Sequence, residues 1–299
     1  MAIKRLPSTG DAPRTTGVPE SLVSGGSSDS AGFPWAGRTF DHHETAFADD
    51  DGATPEEFVI AVDAVRAAAA ALRGAVNAEG QRVALEDLAD AHAGAILALS
   101  QCRVLVPLVA EAGDFGETDD GRTVEKSQEL SIVTVLGPDG RRVMPVFSSV
   151  ATLRAWNSEA RPIPVAAPQA ALAAAQDDHA LIIVDPGTPE REFGVRRTAL
   201  QALAAGERRE PAWADPEVER AFAAGVTADS HVRYTAIVPG DPEARLLAPE
   251  VDVVLGLEPA LDRETLQAVL ERASRAWAEH PTIAERVDSL RVVPTGSAS

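Results

Sequence analysis

Carboxylate and guanidinium side chains are the groups of this chain whose chemistry could hold or transform a small molecule. Glu125 and Glu129 stand four residues apart, Asp185 follows the apolar run ALIIV, and Arg196 and Arg197 are adjacent. A guanidinium binds a carboxylate through paired, charge-assisted hydrogen bonds, so these groups could line one cleft if the fold gathered them. We therefore take the five as candidate ligand-binding residues.

Asp185 has two interpretations. An acidic residue at the carboxyl end of a strand is a usual site position in α/β folds. The same residue also begins Asp185-Pro186-Gly187, and Asp, Pro and Gly in series are typical of a turn. We favour the turn and keep the site as the alternative.

Glu125 and Glu129 also have a structural interpretation. They straddle the start of a predicted strand, and Arg141 and Arg142 follow the next turn. Opposite charges on neighbouring strands stabilise a sheet. We predict that the two glutamates pair with the two arginines across a hairpin.

Catalytic motifs are missing from the sequence. It contains no GxGxxG, phosphate-binding loop, GxSxG elbow, HExxH or paired CxxC. Ser148 and Ser149 precede a predicted helix, where a nucleophile can stand, but helix capping explains them better. We expect no catalytic residue, no cofactor and no enzymatic activity.

A metal site is suggested by the stretch from His42 to Gly52, which combines two histidines with a run of aspartates. A calcium loop with its glycine at Gly52 would place Phe47 at the first position and Phe58 at the twelfth, where oxygen ligands are required. We interpret the stretch as a solvated acidic linker and predict no metal site.

The elements that would position these residues begin with three apolar runs and a helix between Cys102 and Trp156. The runs are RVLVPLVA, ELSIVTVLG and RRVMPVF. The turn Gly137–Gly140 carries Pro, Asp and Gly, which predicts an antiparallel hairpin of the second and third runs. Strand and helix patterns then alternate, which predicts a mixed sheet with helices on its faces.

The 299 residues suffice for two modest domains and a tail. We predict an α+β fold, in which a mixed α/β main domain is followed by a smaller C-terminal α+β sandwich. A helical hairpin comes before both, and its high alanine content suggests that it leans on the sheet or on another protein. The predicted boundaries are 1–53 for the tail, 54–101 for the hairpin, 102–210 for the main domain and 211–299 for the C-terminal domain.

Between 100 and 206 the chain resembles the SseB-like family, named after the enhanced serine sensitivity protein of enteric bacteria. The resemblance rests on the order VLVPLV, LGPDGRR, MPVFSS, LRAWN and LIIVDPGTP. The C-terminal part is similar to that of actinobacterial two-domain members. The resemblance implies a bacterial cytoplasmic protein with an α/β domain and no established reaction, and the family name is the main reason to consider an amino-acid-like ligand.

The tail has the composition of a disordered segment, because Ser, Gly, Pro, Asp and Thr dominate it. The stretch FPWAGRTF is its exception, since it concentrates aromatics in a polar context. Such a motif either anchors the tail on the protein's own surface or docks another chain. Its candidate docking residues are Phe33, Trp35, Arg38 and Phe40.

The charge balance bears on the partner. The chain has 27 basic and 46 acidic side chains, which gives a net charge of −19. An acidic surface repels phosphate backbones, so we expect no nucleic-acid binding, whereas a basic protein would be attracted. Acidic, alanine-rich composition is also an actinobacterial bias, and we favour this explanation of the charge over a role in attracting a partner.

Compartment follows from cysteine usage and hydropathy. Cys102 is the single cysteine, so no internal disulfide can form and a reducing compartment is the simplest assignment. No apolar run approaches the about 20 residues that span a bilayer. We expect a cytoplasmic protein that does not bind membranes.

Two functions remain open. The first, which we favour, is a non-enzymatic binding or regulatory module that recruits another protein. The alternative is a sensor or enzyme for an amino-acid-like molecule, with the carboxylate and arginine candidates in one cleft. A pocket that gathers those charges would favour the alternative.

Overall fold

The computed structural model describes residues 47, 50–111, 115–117, 123–125, 129–176 and 181–296, without the side chains of 110–132. By its internal contacts the chain divides after Asp50, and Asp51–Ser299 forms one unit. The proposed boundaries inside that unit stay predictions. The tail motif lies outside the described residues, and so do its candidate docking residues Phe33, Trp35, Arg38 and Phe40.

The predicted helical hairpin consists of α1, Glu56–Gly74, and α2, Ala78–Ser100. Helix α2 is capped by Asn77, whose side chain accepts the Gly80 amide at 2.8 Å. Thr54, before α1, shares a hydrogen bond with the Ser148 hydroxyl at 2.8 Å. The position before α1 is taken by Pro55, which makes no side-chain cap.

Two sheets form the main part. In the first, β1 lies between β4 and β7, and both pairings are antiparallel. A short ribbon, β2 with β3, precedes β4 in sequence. The bounds are β1 Arg103–Glu111, β2 Phe115–Glu117, β3 Thr123–Glu125, β4 Glu129–Ile132 and β7 Arg161–Ala166.

The second sheet has the order β5-β6-β8-β9, with β6 and β8 parallel. Its strands are β5 Val135–Leu136, β6 Arg142–Val146, β8 Leu181–Val184 and β9 Phe193–Val195. The predicted hairpin at Gly140, whose φ is 79°, is present as β5 and β6. The neighbouring helices are α3 Val150–Trp156, α4 Ala167–Gln176 and α5 Arg197–Ala205.

The predicted pairing of glutamates and arginines across this hairpin is wrong. The run from 129 to 136 forms two strands in different sheets, so Glu129 lies opposite Glu111 and Glu125 lies opposite Phe115. Arg142 lies opposite Leu136. When both faces of a run are apolar, the sequence pattern does not determine which strand it pairs with. The predicted pairing was wrong for this reason.

The C-terminal part combines a three-stranded sheet with helices, as predicted for the small α+β sandwich. Its sheet has the order β10-β11-β12, with Val251, Val253 and Leu255 buried in one core with residues of α7 such as Trp277. The α+β class is therefore confirmed. The bounds are α6 Pro216–Ala224, β10 Val232–Pro239, β11 Val251–Leu257, α7 Arg263–Ala278, α8 Pro281–Arg286 and β12 Leu290–Gly296.

Helix α2 contributes to both large hydrophobic cores. Ile96 and Leu99 belong to the core under the main sheets, and Leu88 and Ala89 belong to the core of the C-terminal part. Side chains of α2 therefore connect the core of the main part with the core of the C-terminal part. Across the described ranges, no helix combines the length and the apolar character needed to cross a membrane.

Candidate functional site

Asp185 stands at the carboxyl ends of the parallel strands β6 and β8, as the site interpretation required. Its side chain is fully buried, and its φ of 49° is in the left-handed region. Asp tolerates that region better than most residues. The turn is also present, because the Thr188 amide donates to the Asp185 carbonyl at 3.1 Å.

The Asp185 carboxylate is occupied by hydrogen bonds from the start of α3. It accepts the Ser148 amide at 2.8 Å, the Ser148 hydroxyl at 2.5 Å and the Thr152 hydroxyl at 2.6 Å. Burial raises the pKa of Asp185, although these hydrogen bonds oppose the shift. The carboxylate therefore locks the amino end of α3 to the end of β8.

The two serines have separate structural roles. Ser149 is the N-cap of α3, since its hydroxyl accepts the Thr152 amide at 3.1 Å, as capping predicted. Ser148 is only 2% exposed and is held by Asp185. Neither hydroxyl is placed as an open nucleophile.

Arg196 lies between β9 and α5 in a buried ionic network. Its Nη2 donates to Asp241 Oδ2 at 2.7 Å and its Nη1 to Asp288 Oδ2 at 3.3 Å. Arg141 binds Asp288 with both terminal nitrogens, at 2.9 and 3.0 Å. We call Arg141, Arg196, Asp241 and Asp288 the arginine clamp. It joins the second sheet to two loops of the C-terminal part.

The pKa values of the acidic side chains in this region are shifted in opposite directions. Burial opposes ionisation of Asp288, but the hydrogen bond and charge of Arg141 hold the pKa of Asp288 below its usual range. Glu250, close by, accepts the Asp288 amide at 2.8 Å and the Ala212 amide at 3.2 Å. Burial raises the pKa of Glu250. These groups are engaged in holding the chain together.

The ligand-binding candidates are dispersed among the side chains described. Asp185 follows Val184, which pairs with Phe193, so Asp185 and Arg196 lie at opposite ends of the β8–β9 ladder. Arg197 donates to the carbonyls of Ala284 and Val287, at 3.2 and 3.0 Å. The side chains of Glu125 and Glu129 lie outside the described ones.

A small cavity is lined by part of this network. Its volume is about 40 Å³, and His92, Arg196, Asp241 and Glu250 are among its walls. About 10–15 Å³ of such volume is enough for one water, so the space suits a few waters rather than an amino acid. Burial lowers the pKa of His92, whose Nε2 lies 2.9 Å from the Pro242 carbonyl oxygen.

Metal binding finds no support in the part of the chain that is described. No group of three or more His, Cys, Asp or Glu side chains there could hold an ion. The suspected linker histidines, His42 and His43, lie outside it.

A larger groove, of about 450 Å³, lies between α2 and residues 208–214, and we call it the α2 groove. That volume is within the usual range of ligand pockets, about 300–1,000 Å³. Its apolar floor consists of Leu85, Ala89, Ala93, Trp213 and Ala214. Its charged rim consists of Arg82, Glu86, Asp90, Arg208 and Glu210.

Sequence reasoning missed the α2 groove and the clamp. Neither has a motif, because their residues come from distant segments that only the fold brings together. The one signal was the alanine content of the hairpin, since small side chains on a helix face leave room beside it. Asp241, Glu250 and Asp288 gave no signal that distinguishes them from surface acids.

The comparison with protein-family models identifies one domain of the chain. Residues 65–202 match the family model of the SseB protein N-terminal domain. The match confirms the resemblance and extends it into the helical hairpin. No curated protein and no solved structure is significantly similar to the chain.

Proposed function

We propose that this chain, whose residues 65–202 match the SseB N-terminal domain, is a non-enzymatic module that binds another protein. In this proposal the partner binds at the protein surface, and the buried charges of Asp185 and the arginine clamp stabilise the fold that forms this surface. The cytoplasm is the proposed compartment, because Cys102 is the single cysteine and no internal disulfide can form. Cys102 is buried, and burial raises its pKa to about 11, so the thiol is mostly protonated.

The observation that carries the proposal is the α2 groove. It is open to solvent along α2, has an apolar floor that includes Trp213, and is large enough for side chains of a partner. Buried aromatic residues within a charged rim are typical of protein-binding hot spots.

The amino-acid sensor is less well supported by the described side chains. Asp185 is saturated by Ser148 and Thr152, and Arg196 is saturated by the clamp. The cavity beside Arg196 has a volume of about 40 Å³. An amino acid would have to displace these contacts in order to bind.

The test is an affinity capture from the native lysate with the full chain and with a chain that starts at Thr54, read by mass spectrometry. We expect a defined partner in near-stoichiometric amount with the full chain. A partner lost on truncation would assign docking to the tail motif. If no partner is retained and one amino acid raises Tm of the full chain, the binding proposal is wrong.

A further inference from the structure

We propose that the α2 groove binds a short protein segment in which a bulky apolar side chain is flanked by lysine or arginine. The inference rests on the proposed function, since it names the chemistry of the partner. It assigns recognition of the partner segment to α2 and residues 208–214, where the sequence contains no known binding motif.

The shape of the α2 groove requires an apolar anchor. Positions 82, 86 and 90 are four residues apart, as are 85, 89 and 93, and the two series are offset by three, so all six share one face of α2. Ala89 and Ala93 contribute small side chains to its lining, and Trp213 lines it from the segment 208–214. A leucine or phenylalanine of a partner would fill that space and exclude water from it.

The charge of the α2 groove rim favours basic residues beside the apolar anchor of the partner. Arg82 is already bound by two acids, Glu79 at 2.7 Å and Glu86 at 2.5 Å. Arg208 binds Asp90, and Glu210 is a further carboxylate of the rim. The residues that line the groove include three carboxylates and two guanidiniums, so the rim has one surplus negative charge.

The ion pair of Arg208 and Asp90 can be exchanged for a pair with the partner. Both side chains are well exposed, at 47% and 79%. Exposed ion pairs contribute little stability, so a lysine or arginine of the partner can replace Arg208 at low cost. Arg208 would then turn to solvent.

A basic protein segment fits better than the other occupants. A second copy of the chain has the same net charge of −19 and would bring further negative charge to the rim. Nucleic acid is repelled for the same reason. Charge complementarity therefore selects a basic partner, and it raises the rate of association as well.

The probes are three capped peptides, RRLLRR, RRSSRR and EELLEE, titrated calorimetrically into the full chain. We expect one RRLLRR to bind per chain, RRSSRR to bind at least about tenfold more weakly because it lacks the apolar anchor, and EELLEE not to bind. Equal affinity for RRLLRR and RRSSRR would overturn the inference, since charge alone would then explain binding.

Two variants locate the site. Ala89→Arg places a long charged side chain on the floor, and the double variant Glu86→Arg with Glu210→Arg reverses exposed rim charges. We expect each to weaken RRLLRR at least about tenfold. The matched control, Glu271→Arg with Glu285→Arg, makes the same charge change at exposed positions of α7 and α8 and should leave the affinity within about twofold. Circular dichroism and Tm verify folding.

The outcomes separate the inference from the proposed function. If the control weakens the peptide as much as the rim variant does, binding is non-specific and the α2 groove is not the site. If no peptide binds while a captured partner persists with both groove variants, the inference fails and the binding module stands. If neither peptide nor partner is retained, both fail.

Discussion

At the scale of the residue, Asp185 shows how a group suited to chemistry is used for structure. Its carboxylate accepts three hydrogen bonds, two from Ser148 and one from Thr152. Its left-handed φ of 49° is held by the turn that follows. An unpaired buried donor is costly, so the acceptor at position 185 is essential to the end of β8.

Two substitutions of Asp185 distinguish the stability that comes from its hydrogen-bond acceptors from the stability that comes from its charge. Asp185→Ala leaves donors without a partner and strains the left-handed backbone, so we expect a loss of about 2–4 kcal/mol in the free energy of unfolding. Asp185→Asn keeps an acceptor and tolerates the same φ, so its loss should be less than half as large. Urea unfolding measures both. Equal losses would show that hydrogen bonding is not the reason for this residue.

Asp288 predicts a pH dependence. Its folded pKa lies below the usual value of about 3.9, because Arg141 and Arg196 outweigh its burial. Its stabilising contribution is therefore complete above about pH 4 and is lost as pH falls through the folded pKa. The cost of Asp288→Asn, measured by urea unfolding, should be largest near pH 7 and should shrink towards about pH 3. A cost that grows on acidification would reverse the assigned sign.

At the scale of the element, the loop between β10 and β11 fastens the C-terminal part to the main sheets. Ala244 and Leu246 have φ values of 52° and 58°, and the Asp241 carboxylate accepts the Leu246 amide at 2.8 Å. Leu246 packs on Gly194, where an added Cβ would lie 2.3 Å from the Leu246 Cγ. This close approach requires glycine in β9.

A double-mutant cycle tests that approach. Gly194→Ala should cost about 1–3 kcal/mol, because Leu246 must move within a packed core. Adding Leu246→Ala should relieve the clash, so the double variant should lose less than the sum of the single losses. Gly296→Ala is the control, since nothing lies within 4 Å of a Cβ there. Strictly additive losses would argue against the contact.

The sequence predicted individual helices, turns and caps better than it predicted which strands and helices contact each other. Both hairpin helices, the turn at Gly140 and the cap at Ser149 were readable, because each depends on residues close in sequence. The partner of the run from 129 to 136 was not, since both of its faces are apolar. The clamp and the α2 groove depend on contacts between distant segments, and no local pattern encodes those.

At the scale of the whole molecule, the arginine clamp and α2 make one unit of the SseB N-terminal domain and the C-terminal part. Arg196 reaches Asp241 and Asp288, which are 45 and 92 residues away in sequence. Helix α2 contributes side chains to both cores. The α2 groove lies along this shared helix, so its shape depends on both parts being in place.

Breaking the clamp should destabilise the whole unit. Arg196→Met leaves the buried Asp241 carboxylate without its ion-pair partner and removes one of the two guanidiniums that bind Asp288, so we expect a loss of about 3–5 kcal/mol and a single unfolding transition. Arg272→Met removes an ion pair to Asp229 whose arginine is 54% exposed. That control should cost about 1 kcal/mol or less. Two resolved transitions in the parent chain would contradict one cooperative unit.

The central claim is that the chain recognises a partner at the α2 groove while its buried charges serve the fold. Hydrogen-exchange mass spectrometry of the full chain, alone and with the RRLLRR peptide in excess, tests it most directly. The account predicts slower exchange in segments from α2 and from residues 208–214, with β8, β9 and the loop after β10 unchanged. Slowing confined to those three elements, around Asp185 and Arg196, would contradict the account and return the charged residues to the role of a ligand site.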